Sequence, residues 1–183
     1  LGNLFTFKNN HAAALEQYRK AESLKPDSDE SAFRAASALH ALGRKKEADE
    51  EYQKVLRLSP NHVLALNNLA YLYAEENRGL PQALNYATRA FMIAPQNDSI
   101  RDTLGYVLVK NGRTEQGIRM LKKASENSPK NATIAYHLAL AYKEAGDRSK
   151  ASTILEKALS LGDFPEAREA KTLLDTLKKS GKS

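Results

Sequence analysis

Four prolines set the frame for this chain. Pro26, Pro60, Pro95 and Pro129 follow one another at intervals of 34, 35 and 34 residues. Each closes a stretch in which apolar residues recur with the spacing of one buried helix face, and a proline inside such a face would break it. A period near 34 residues that holds two amphipathic helices and a breaker is that of a helical repeat array. In such an array no unit can bury its apolar face alone, so neighbours must stack. No segment alternates apolar and polar residues over a strand's length, so the expected fold is all-α, without a sheet.

The clearest unit is DTLGYVLVKNGRTEQGIRMLKKASENSP, from Asp102 to Pro129. Its turn is Asn111-Gly112-Arg113, with Leu104, Gly105 and Leu108 facing inward before it and Gly117, Leu121 and Ala124 after it. Aligned on this unit, the chain reads as a single domain over 1–183. It comprises a partial repeat at 1–26, repeats at 27–60, 61–95, 96–129 and 130–163, and a capping helix at 164–179. Pro26 is followed by Asp27 and, three residues on, Glu30, which predicts a capping box with Asp27 as the cap. Gly43, Gly112 and Gly146 mark the turns inside their repeats, because glycine takes the left-handed conformation at a helix end without penalty. The turn Asn77-Arg78-Gly79-Leu80-Pro81 is one residue longer than its equivalents. The last repeat lacks its proline; Gly162-Asp163-Phe164-Pro165 instead starts one more helix, carrying Ala167, Ala170, Leu173, Leu174 and Leu177. An amphipathic helix of this kind covers the end of an array.

Several chemistries are set aside. The chain has no cysteine, which removes disulfides, thiolate metal sites and thiol nucleophiles. Gly112 to Gly117 has the glycine spacing of a phosphate loop, but Ile118-Arg119 stands where Lys-Ser/Thr must follow, and no strand precedes it. The four histidines are not at metal-ligand spacing. No metal, cofactor, small-molecule substrate or catalytic set is expected. Asn97-Asp98-Ser99 and Asn131-Ala132-Thr133 match glycosylation sequons and read as helix caps. The net charge is +6, but Lys and Arg are interleaved with Glu and Asp and no run of five like charges occurs. This is the surface of a solvated helical protein, and nucleic acid is not the expected partner. No apolar run reaches the roughly 18 residues of a membrane span. Leu1-Gly2 reads as a cut from a longer chain, whose lost N-terminus could have carried an anchor.

The inward faces carry a small residue on each helix of a pair: Ala36 with Ala48, Ala70 with Ala83, Gly105 with Gly117, and Ala139 with Ala151. Small side chains let helix axes approach, while Tyr52, Tyr73, Leu108, Leu121 and Tyr142 fill the space beside them. With the closing prolines, this pattern resembles the tetratricopeptide repeat over residues 1 to about 163. The resemblance implies a right-handed α-solenoid of antiparallel helix pairs, a superhelix with a C-terminal capping helix. The chain departs from the family pattern in three places. The large aromatic that opens the first helix is replaced by Ala32, Leu66, Arg101 and Ala135. The first repeat is incomplete, and the third has its longer turn.

The resemblance further implies that the first helix of each pair lines a concave groove where a protein or peptide partner docks. The candidate residues are Arg34 and Ser37; Asn67, Asn68 and Tyr71; Asp102, Thr103 and Tyr106; and Tyr136, His137 and Lys143. His40 and Leu140 lie on the same faces. Tyrosines in successive repeats offer a ring and a hydroxyl. Asn68 matches an asparagine that holds a peptide main chain in some family members. Arg34, Thr103 and His137 stand in the equivalent places, so there is no full asparagine ladder. The Lys/Arg set with which chaperone-binding members clamp a C-terminal carboxylate is also absent.

The expected function is a non-catalytic scaffold that binds a peptide or protein partner in this groove. A rival reading is self-association through Leu1, Phe5 and Phe7, apolar residues on the edge of the incomplete first repeat. More narrowly, "DTLGYVLVKNG" and "FPEAREAKTLLDTL" in the C-terminal half are similar to the end of bacterial tetratricopeptide lipoproteins of the exopolysaccharide and PEP-CTERM system. That likeness implies a bacterial periplasm or cell-envelope protein, with the cytoplasm as the alternative.

Overall fold

The computed structural model describes residues 10–179. Leu1, Phe5 and Phe7, and with them the self-association edge, lie outside the described residues. Ten α-helices follow in order: α1 His11–Leu24, α2 Asp29–Ala41, α3 Lys45–Leu58, α4 Val63–Glu75, α5 Leu80–Ile93, α6 Asp98–Lys110, α7 Thr114–Asn127, α8 Ala132–Glu144, α9 Arg148–Ser160 and α10 Ala167–Lys179. There is no strand among the described residues. Helices α2–α3, α4–α5, α6–α7 and α8–α9 form antiparallel pairs, and each pair packs on the next. The first helices also meet one another, α4 against α6 and α6 against α8. The result is an α-solenoid.

Each pair turns by the same device. Arg44 N–H donates to Leu39 C=O, Arg113 to Leu108 and Asp147 to Tyr142, each over 2.9 Å. This is the backbone closure that a left-handed residue one position earlier permits, and Gly43, Gly112 and Gly146 have φ of +73°, +75° and +81°. In the third repeat the left-handed residue is Asn77, with φ of +51°, and Arg78 N–H closes onto Tyr73 C=O. Asparagine tolerates this region better than most residues. The extra residue of that turn is absorbed at Gly79, also left-handed at φ +53°.

The first helices of the pairs begin with side-chain caps. Ser28, His62, Asn97 and Asn131 each accept a backbone N–H from the first turn of α2, α4, α6 and α8. The cap of α2 is thus Ser28 and not Asp27. Glu30 pairs with Arg34 one turn on, so no capping box forms. The two sequon asparagines act as caps.

The small residues are where the pairs cross. Ala36, Ala48, Ala70, Ala83, Ala139 and Ala151 are fully buried. At the glycine pair the approach is closest: a Cβ on Gly117 would lie 2.7 Å from Gly105 O and 2.5 Å from Val109 Cγ2. The core runs without a gap from α1 through α6, and its C-terminal part joins Ala139, Ala151 and Leu155 to Ala170, Leu174 and Leu177 of α10. Helix α10 therefore covers the last pair. It begins at Ala167, three residues after Phe164, and leaves Pro165 and Glu166 as a turn ahead of it.

Two repeats are tied by a bond from the start of the first helix to the end of the second. Ser59 Oγ donates to Asp29 Oδ2 at 2.5 Å, and Ser128 Oγ donates to Asp98 Oδ2 at 3.0 Å. Between repeats, Arg78 reaches back to Asp49 at 2.8 Å and lies 4.0 Å over the Tyr73 ring.

Candidate interaction groove

Helices α2, α4, α6 and α8, with the turn before α10, line one open groove of about 930 Å³. Nine of the eleven expected residues line it: Ser37, Asn67, Asn68, Tyr71, Asp102, Thr103, Tyr106, Tyr136 and His137. Arg34 and Lys143 do not. Arg34 pairs with Glu30, and Lys143 with Glu144 at 3.0 Å on an exposed face.

Lining the groove is not the same as being open to it. Asp102, Thr103, Tyr106 and His137 are buried, with His137 only 2% exposed. They line the groove from the seam where α6 packs against α8. His137 Nδ1 donates to both Asp102 oxygens, at 3.0 and 2.9 Å. Burial opposes charge on this imidazole, but the Asp102 carboxylate and its hydrogen bond outweigh that and push the His137 pKa up. The contact joins the fourth repeat to the fifth, and it is an ion pair wherever His137 is protonated.

Above it lies a continuous aromatic floor. The Tyr106 and His137 rings stack at 4.6 Å with 22° between planes. Tyr71 stands 5.7 Å from Tyr106 and 5.8 Å from His137, and Tyr136 is 5.9 Å from His137. Burial drives the Tyr71 and Tyr106 hydroxyl pKa values up, with nearby carboxylates adding to the shift, so both remain neutral donors. Neither hydroxyl, nor that of Tyr136, has a hydrogen-bond partner among the described residues.

Toward the N-terminal end the lining is amide and hydroxyl. Asn68 Nδ2 donates to the Tyr52 hydroxyl at 3.1 Å, and that hydroxyl donates to Ser37 Oγ at 3.4 Å. Asn67 Nδ2 donates to Asn68 Oδ1 at 3.3 Å. Asn67 Oδ1 is buried without a partner among the described residues. Tyr52 escapes a sequence-based search for site residues because it belongs to a second helix and reads as core; only its hydroxyl reaches the groove. His40 adds an edge, 6.3 Å from Tyr71 and 3.6 Å from Glu75, and burial lowers its pKa against the pull of that carboxylate.

The groove also has members from outside the first helices. Lys45 pairs with Glu75 at 3.0 Å. Glu166 and Glu169 line the opposite end, brought in by the turn before α10 and its first residues. Glu166 Oε2 accepts the Thr133 hydroxyl at 3.0 Å. Nothing in the repeat period marks these two glutamates, since they follow the last repeat. No group of three or more His, Asp or Glu that could hold a metal is found among the described residues. No described helix is long and apolar enough to cross a membrane.

Comparison with known proteins bears on the fold. Three family models, each described as tetratricopeptide repeat, match residues 108–174, residues 1–28 and 29–62, and residues 51–85. Superkiller complex protein 3 of Mus musculus is 31% identical over 103 residues, covering 49% of this chain and 7% of that protein. The chain thus spans only a small part of that relative's length. The crystal structure of TTC0263, a thermophilic tetratricopeptide protein of Thermus thermophilus, aligns with a TM-score of 0.77 at 20% identity, covering 96% of this chain and 94% of that one. That of YrrB, described as a tetratricopeptide protein with an unusual peptide-binding site, aligns with a TM-score of 0.66 at 24% identity, covering 93% and 88%. At these identities the two structures speak for the fold.

Proposed function

The chain belongs to the tetratricopeptide repeat family, and from that premise we propose that it is a non-catalytic scaffold that holds an extended peptide segment of a protein partner in its concave groove. Proteins of this family act as protein-interaction scaffolds. The observation that carries the groove reading is the aromatic floor of Tyr71, Tyr106 and Tyr136, whose hydroxyls are unengaged among the described residues. Rigid tyrosines give large contact area and a hydrogen-bonding tip. Asn67 and Asn68 line the groove beside them and bring amide groups of the kind that pair with a peptide main chain. Most of these side chains are fixed by neighbours, so little ordering is needed on binding. Their positions on helices, and not on loops, have the same effect.

The narrower reading places this activity in the bacterial periplasm or cell envelope, within exopolysaccharide assembly. It rests on the sequence likeness of the C-terminal half.

A phage-displayed library of random dodecapeptides selected on the protein tests the groove. Enriched peptides are synthesised and titrated by fluorescence anisotropy against wild type, Y71A, Y136A and, as a control outside the groove, Y86A. The groove substitutions are expected to weaken binding about tenfold or more, roughly 1.4 kcal/mol, with Y86A unchanged. Equal affinity for all four proteins rejects the groove.

A further inference from the structure

The groove and the chain differ in charge. The chain carries a net +6. In the groove the cations are already answered: Lys45 by Glu75, and His137 by Asp102. Glu166 and Glu169 line the same groove, and neither forms an ion pair among the described residues. Glu166 has only the Thr133 hydroxyl. Its field acts on Tyr71, Tyr106, Tyr136 and His137 together, which places one carboxylate within electrostatic reach of the whole aromatic floor. Glu169 acts on Tyr136 as well. The C-terminal end of the groove is thus uncompensated negative charge set beside tyrosine rings.

Those rings are not equally available. Tyr106 is stacked on His137 and has Lys110 Nζ 5.5 Å from its centroid. Tyr71 and Tyr136 are half-buried and keep exposed surface.

Resting on the groove reading above, we propose that the partner segment presents a basic side chain, lysine or arginine, which seats at this end between Tyr71 and Tyr136 with its charge met by Glu166 and Glu169. The alkyl stem packs on the rings. The cationic head is drawn to their faces, to the free hydroxyls and to the carboxylates. A neutral segment would desolvate two carboxylates with nothing to replace the lost water. An acidic segment would meet like charge, which is strongly disfavoured at an interface. The turn before α10, with Glu166, and the first turn of α10, with Glu169, therefore both begin the end cap of the array and supply the charge that selects the ligand.

The same dodecapeptide library tests this. Enriched sequences are expected to share a lysine or arginine at one register. Replacing that residue by norleucine should weaken binding at least tenfold, and E166Q/E169Q should weaken the parent peptide to a similar degree while leaving the norleucine peptide little changed. Rescue of a glutamate-bearing peptide by E166K/E169K would be the matching gain. Enriched peptides that lack a shared basic residue, or that bind E166Q/E169Q as well as wild type while still losing affinity to Y71A, overturn the basic-residue proposal and leave the groove standing. Peptides indifferent to Y71A and Y136A, or no enrichment at all, overturn both.

Discussion

At the scale of single residues, the tightest constraint is the glycine pair of the fourth repeat. Glycine inside a helix costs about 1 kcal/mol against alanine, so propensity alone would favour replacement. The geometry opposes it. A Cβ on Gly117 would stand 2.7 Å from the Gly105 carbonyl oxygen, a backbone atom that cannot rotate away, and 2.5 Å from Val109 Cγ2. On Gly105 it would stand 2.6 Å from Leu121 Cγ, with Gly117 O at 3.1 Å. Overpacking of this kind costs typically about 1–3 kcal/mol, which outweighs the gain in propensity. G117A is therefore expected to lower the urea midpoint, and to do so more than G105A. A G117A protein more stable than wild type would mean the two helices are not in close contact there.

At the scale of elements, one contact between α6 and α8 has a pH dependence. The folded pKa of His137 is raised by Asp102 above its ordinary value. Its stabilising contribution is then fully present below the unfolded imidazole pKa, about 6.5, and is lost as pH rises through the raised folded value. Comparing wild type with H137Q by urea unfolding from pH 6 to 9, the gap in stability should be widest at pH 6 and narrow upward. A gap that widened with pH would show that His137 is neutral in the fold. D102A should be costly near pH 6, by roughly 3–5 kcal/mol, because it strands a buried imidazole without its counter-charge. The His137–Asp102 contact holds two first helices together across a repeat boundary, and Arg78 in the turn after α4 crosses another boundary to Asp49 of α3.

At the scale of the whole molecule, helix packing joins each pair to its neighbours and the Tyr71–His137 ring approach reaches one repeat further, so stability is close to a sum of local terms along one dimension. Helix α10 buries Ala170, Leu174 and Leu177 against the last pair. Ending the chain at Gly162 should leave that apolar face open. Amide exchange is then expected to speed up strongly in α8 and α9 and hardly at all in α2 and α3. Uniform acceleration along the chain would show a single cooperative core instead.

The sequence by itself determined the local facts: two helices per period, a left-handed turn inside each pair, and a small residue on each side of every crossing. These follow from helical periodicity and from the backbone needs of Gly43, Gly112 and Gly146, all short-range properties. It also put Tyr71, Tyr106 and Tyr136 on first helices. Only the tertiary structure decided how open each was. The packing of α4, α6 and α8 side by side buries Asp102, Thr103 and His137, and lets Tyr52 reach the groove from behind. It also brings Glu166 and Glu169 to one end of that groove, which no repeat register could announce, because their place depends on where the chain turns back after the last repeat.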